Sequence, residues 1–199
     1  MNAQPNLGMQ VTTFDNPMGI DGFEFVEFAA PAGRADELHD QFKRMGFAAV
    51  LKHKTRPITV YRQNGVNFLL NEDPDSFAAD FAKAHGPSAC GFAIRFRKPG
   101  VQVLQTVLDN GGEKIDHKET SKAVNAAVVK GIGDCMLYLV DRYGDLGSIY
   151  DADYEAIEGA DQHPKGFGLT VIDHRTHNLY FGNMQKWSDY YERLFNFRE

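Results

Sequence analysis

The chain has 199 residues, 43% of them apolar and 24% charged, enough to bury one large core or two small ones and free of the bias of a disordered segment. Twenty-one basic against 27 acidic side chains leave a net charge of −6, and no run of Lys or Arg is long enough to track a phosphate backbone, so nucleic acid is not an expected partner. No window of about 18 apolar residues exists to cross a membrane, and the opening "MNAQPNLGMQVTTFDNP" lacks the charged-then-apolar order of a signal peptide, so a cytoplasmic protein is expected.

The first element, "GFEFVEFAAP" (22–31), alternates aromatic and acidic side chains as a half-buried strand does. The stretch "GRADELHDQFKRMGF" then places Leu38, Phe42 and Met45 on one helical face, and Gly46 stands where a left-handed helix cap is wanted. Next, "AAVLKHKT", "ITVYRQ" and "VNFLLNED" read as strands, so the first unit is βαβββ. Lys52, His53, Lys54 and Arg56 in this region read as a solvated strand edge, the anion-site alternative having less in its favour. A polar helix, "DSFAADFAKAHG", links onward.

The pattern then restarts, with "CGFAIRFRKP" as a strand, "GVQVLQTVLDNGG" as a helix ending in glycines, and "NAAVVKGI" and "CMLYLVDRYG" as strands. Cys90 and Cys135 sit in apolar company without metal-ligand spacing, and both are expected to be reduced core residues. His39 on the polar side of the first helix, His117 in a charged loop and His163 in a polar linker have no partners in sequence.

A third unit opens with "GLTVIDHRTHNLY" as a strand, followed by a helix whose apolar face is Met184, Trp187, Tyr191 and Leu194 and whose end is marked by Asn196. The spacing from Glu24 to Phe47 is repeated from His174 to Phe197. His174 and His177, three apart, point to opposite faces of a regular strand, so the two cannot share one metal ion from there. The unit's later strands are missing. The expected organisation is therefore a domain over 15–155, a linker over 156–167 and an incomplete third unit over 168–199. Lacking sheet partners of their own, Trp187, Tyr191 and Leu194 are expected to dock on a neighbouring copy, giving a homo-oligomer, or to remain mobile.

A βαβββ unit cannot bury its sheet alone, and two such units pair into a curved, eight-stranded half-barrel of α+β class, the arrangement of the vicinal-oxygen-chelate superfamily. Within it, "DNPMGIDGFEFVEFAAP", "YRQNGVNFLLNEDPDSFAADFAKAHGPSACGFAIRF", "KGIGDCMLYLVDRYG" and the "IDHRTHNLY" segment with its helix resemble the bacterial 4-hydroxyphenylpyruvate dioxygenases, over essentially the whole chain from about Asp15 to Glu199. The resemblance implies a non-haem Fe(II) enzyme of tyrosine catabolism that converts 4-hydroxyphenylpyruvate and O₂ to homogentisate and CO₂. It matches the pair Asp173-His174 to the family's first metal-binding histidine. His174 is thus the implied iron ligand, with Asp173 and His177 as supporting neighbours, while another histidine, a glutamate and the substrate contacts would lie beyond residue 199. Glu24 holds in the first unit the place of His174, but the family's first half binds no metal. On this reading the 199-residue chain alone is inactive. Hydroxymandelate synthase, which shares fold, iron and substrate, and a non-catalytic binding module are the alternatives.

Overall fold

The computed structural model describes residues 15–31 and 33–199. Its first unit runs β1 (Ile20–Ala29), α1 (Ala35–Arg44), β2 (Ala48–His53), β3 (Ile58–Gln63) and β4 (Val66–Asn71). Helix α2 (Phe77–His85) leads to the second unit, β5 (Ser88–Phe96), α3 (Gly100–Asp109), β6 (Ala127–Lys130) and β7 (Met136–Val140); β8 (Tyr154–Ala156) and α4 (Met184–Phe195) follow. The strands form one open mixed sheet of eight, ordered β6-β7-β5-β1-β4-β3-β2-β8, as the paired-unit reading requires.

The internal repeat is visible in the pairing. Strand β1 lies parallel to β4 and leads through β3 to β2, while β5 lies parallel to β7 and leads to β6; β1 and β5, antiparallel, join the two halves. The copies diverge at one place. The second strand of unit two is reduced to a single bridge between Lys114 and Val129, and β8 instead crosses to the far edge and pairs with β2. The backbone edge expected to be free is therefore paired, while the Lys52 and Lys54 side chains stay solvated. Lys52 pairs with Glu155 at 3.2 Å, Lys54 donates to the Ala152 carbonyl at 2.6 Å, the His53 ring meets Tyr154, and Arg56 turns to the buried Asp73. His39, without a partner in sequence, bridges Tyr61 at 2.6 Å and Glu72 at 3.2 Å.

Helices α1, α3 and α4 pack on one face of the sheet, while α2 covers Ala29 and Cys90 and turns Phe77 to the cluster on the other face. Leu38 and Phe42 of α1 bury against Phe47, Tyr61 and Leu70, and Val103 and Val107 of α3 against Ile94, Phe96 and Leu137. The opposite face gathers Val50, Leu69, Phe25, Ala93, Tyr138 and Val128, from one edge of the sheet to the other, into one cluster with Val124 and Tyr150. Only a curled sheet brings those edges together, and register shifts between β1 and β5 supply added twist. The Tyr154 hydroxyl donates to the Ala123 carbonyl at 2.7 Å and ties the two ends.

Helix α4 does not wait for a neighbouring copy. Leu194 and Phe195 are buried in the α3 cluster, with Tyr190 and Tyr191 packed beside them, and the Tyr190 hydroxyl bonds the Lys130 carbonyl. Trp187 is half-buried and Met184 exposed. The C-terminal part of the amphipathic face thus finds its cover within the chain, while Met184 stays exposed. The left-handed caps fall where expected, with φ of +86° at Gly46 and +57° at Asn196. Both cysteines are free thiols, Cys90 buried and Cys135 partly exposed. Among the described residues no helix is long and apolar enough to cross a membrane.

Candidate functional site

The segment that carries the two histidines is fastened before it is positioned. Gln63, fully buried at the end of β3, accepts from the Phe167 amide at 2.7 Å and the Leu169 amide at 3.1 Å, and its Nε2 donates to the Met45 carbonyl at 3.1 Å. Asn64 adds bonds from Nδ2 to the Lys165 and Leu169 carbonyls at 3.0 and 2.8 Å. The backbones approach so closely that a Cβ on Gly166 would collide with the Gly46 carbonyl, and one on Gly65 would lie 2.6 Å from that of Thr170. Glycine is required there for proximity.

Beyond this clamp, residues 168–183 form no strand, contrary to expectation. A strand is defined by ladder bonds, and this segment crosses the helix-bearing face of the sheet, where the sheet's own N–H and C=O groups are already paired. From His174 onward the side-chain alternation persists without the ladder. Ile172, Arg175, His177 and Leu179 turn inward while Asp173, His174, Thr176 and Asn178 turn to solvent. Ile172 joins the α1 cluster. The Arg175 guanidinium stacks on Phe92 at 4.3 Å, and the His177 ring lies between Phe92 and Tyr191, its Nε2 3.3 Å from the Tyr191 hydroxyl. Burial first, and the nearby Arg175 charge second, push the His177 pKa down, so its imidazole is neutral and packed.

His174 is the opposite case. Its side chain is 78% exposed, and Nδ1 lies 2.9 Å from Asp173 Oδ2. An Nδ1–H held by a carboxylate fixes the tautomer whose Nε2 lone pair points away and is available to a metal, the arrangement in which metal-binding histidines are commonly found. The structure thus separates the two histidines as strand alternation predicts: one presented, one packed. Among the described residues no group of three or more His, Cys, Asp or Glu side chains is arranged to hold a metal, and His174 stands there with Asp173 alone.

The matching position in the first unit is filled differently. Glu24, which matches His174 in register, is 6% exposed and ion-pairs with Arg95 Nε at 2.5 Å, with Asn67 Nδ2 donating to the Glu24 carbonyl at 3.1 Å. Deeper on the same strand, Glu27 is fully buried and accepts from Tyr138 at 2.6 Å and Asn71 at 2.9 Å, while Ser121 bonds Tyr138 at 2.5 Å. Burial raises the Glu27 pKa, the bonds from Tyr138 and Asn71 opposing it. Gln63 and Arg175 position the His174 segment and Glu27 anchors the other face of the sheet, and sequence reasoning missed all three. Arg175 stood in the quoted "DHRTH", but its inward turn depends on Phe92, far away in sequence.

Residues 14–155 match the family described as hydroxyphenylpyruvate dioxygenase, HPPD, N-terminal. The chain belongs to this family. It is 45% identical over 186 residues to a 4-hydroxyphenylpyruvate dioxygenase of Pseudomonas sp. (strain P.J. 874), covering 94% of this chain and 51% of that protein. Among solved structures, a xylose isomerase-like TIM barrel/4-hydroxyphenylpyruvate dioxygenase fusion protein matches with a TM-score of 0.80 and 31% identity, over 92% of this chain and 28% of that one. A mutant 4-hydroxymandelate synthase from Streptomyces coelicolor matches with a TM-score of 0.66 at 20% identity, over 89% of this chain and 52% of that one, a likeness of fold alone. The chain spans about half the length of the curated dioxygenase it matches. In hydroxyphenylpyruvate dioxygenase terms, the described fold is the N-terminal half-barrel with a further segment that bears His174.

Proposed function

We propose that this chain is the first half of a 4-hydroxyphenylpyruvate dioxygenase, with residues 15–155 as its N-terminal domain, 156–167 as linker and 168–199 as the opening of the metal-binding half, and that His174 is one ligand of a ferrous ion. The observation that carries the reading is the 45% identity to the Pseudomonas dioxygenase across 94% of this chain, a stretch that includes both half-barrel units. The reaction would convert 4-hydroxyphenylpyruvate and O₂ to homogentisate and CO₂. The chemistry of the donor fits one corner of such a site: an outward imidazole with its Nδ1 side held by Asp173. Ferrous iron held there by His174 and further donors would supply open positions for an α-keto acid and O₂.

The chain's own residues contribute positioning. Gln63 and Asn64 set where the His174 segment starts, Arg175 and His177 fix its register on the sheet face, and Asp173 orients the imidazole. With one candidate donor and no complete metal site among the described residues, the isolated chain is expected to consume no oxygen. Hydroxymandelate synthase is supported only by likeness of fold. The test is a chimera in which this chain replaces the corresponding part of the Pseudomonas dioxygenase. Supplied with Fe(II) and 4-hydroxyphenylpyruvate, it should release homogentisate. A folded, iron-loaded chimera that releases 4-hydroxymandelate, or no product, would overturn the reading.

A further inference from the structure

Asn64 and Gly65 form the two-residue loop between β3 and β4, closed by the Gln63-Val66 pair, and Asn64 stands at φ +47°. An Asn-Gly pair is the dipeptide most prone to deamidation, because glycine has no side chain to hinder its backbone nitrogen from attacking the asparagine Cγ. The sequence holds two such pairs, Asn64-Gly65 and Asn110-Gly111. Only the first is tied to a distant segment. Its Nδ2 donates to the Lys165 carbonyl at 3.0 Å and the Leu169 carbonyl at 2.8 Å, and its backbone N–H to the Pro164 carbonyl at 2.8 Å. The amide is thereby held against the linker and away from its own loop. Gly65 is exposed, and among the described residues no acceptor takes its N–H, so the nucleophile is free while the group it would attack is pinned.

We propose that Asn64-Gly65 is a self-modification site gated by the linker clamp: opening of residues 164–170 frees the Asn64 amide to deamidate, and the product cannot close the clamp again. The Gly65 nitrogen gives up its proton to solvent and bonds to Asn64 Cγ; the Cγ–Nδ2 bond breaks and ammonia leaves. Water then opens the cyclic imide at either of its carbonyls, which yields aspartate or isoaspartate. No oxidant, metal or enzyme takes part. The new carboxylate only accepts, so it offers no donor to the Lys165 and Leu169 carbonyls and is repelled by them. Isoaspartate also lengthens the backbone of the short loop by a carbon. A closed linker is thus exchanged irreversibly for one held by Gln63 alone, through the Phe167 and Leu169 amides.

Deamidation at each pair is followed by peptide mapping of the 199-residue protein during incubation at mildly alkaline pH. Asn110-Gly111, at the end of α3 with the Gly111 N–H on the Leu108 carbonyl at 2.9 Å, serves as the internal reference. Asn64 should convert at least about tenfold more slowly in the native chain than in urea, since reaction waits on a locally opened state. Gln63→Ala should speed conversion at Asn64 severalfold and leave Asn110 unchanged. Asn64→Asp, which installs one product directly, should be cleaved severalfold faster than the parent within residues 164–170. In an aged sample of the parent, the chains cut first should be those that carry the modified residue. Equal rates at Asn64 in the native and unfolded chain would overturn the proposal, as would resistance of Asn64→Asp and of aged chains equal to that of the fresh parent. Both comparisons hold even if Gln63→Ala does not fold.

Discussion

Leu194→Ala tests whether α4 belongs to the cooperative core of the first domain. Leu194 is fully buried against α3 and the outer strands, with its Cδ1 close to Gly112. The substitution removes three carbons, worth roughly 2.4 kcal/mol at about 0.8 kcal/mol per methylene, and the cavity left behind brings the expected loss to about 3 kcal/mol. For a chain of this length each kcal/mol moves the melting point by about 2–4 °C, so calorimetry should show a fall of about 6–12 °C in a single transition. Met184→Ala on the same helix, 69% exposed, is the control and should stay within about 0.5 kcal/mol of the parent. The loss cannot exceed the free energy that docks α4, because the helix can detach instead. A Leu194→Ala midpoint equal to that of Met184→Ala would refute the docking.

Three further outcomes follow from the buried polar groups. Arg95→Met strands the Glu24 carboxylate, 6% exposed, and should cost about 3–5 kcal/mol in urea denaturation, with Glu24→Gln/Arg95→Met regaining much of it; a double variant as unstable as the summed singles would contradict the pairing. Burial raises the Glu27 pKa, so its contribution is full below the ordinary value of 4.5 and is lost as pH climbs through the folded value. Urea midpoints of the parent should therefore fall more steeply than those of Glu27→Gln between about pH 5 and 9, and parallel curves would dismiss the effect. Gln63→Ala removes three bonds from a buried side chain, for a loss of about 1–3 kcal/mol, and should speed proteolysis within residues 164–170; unchanged cleavage would mean that Asn64 alone holds the linker.

Periodicity made the two units and their helices legible, because Leu38 and Phe42 bury where the helical spacing placed them and Gly46 and Asn196 adopt the left-handed caps. Alternation also separated His174 from His177 correctly, although the segment is not a strand. Ladder pairing was the illegible part. Strand β8 has three residues, two of them exposed, and gains its identity only from β2, about a hundred positions earlier. The same limit hid the cover over α4, the Gln63 clamp and the inward Arg175: each is a contact between distant segments, which a local pattern does not encode.

In the proposed dioxygenase His174 holds iron while His177 holds the fold. In the chimera with the Pseudomonas dioxygenase, iron per chain by metal analysis should fall to background in His174→Ala and stay near one in His177→Ala, with homogentisate formation following the metal. Full iron in a folded His174→Ala chimera would contradict the account.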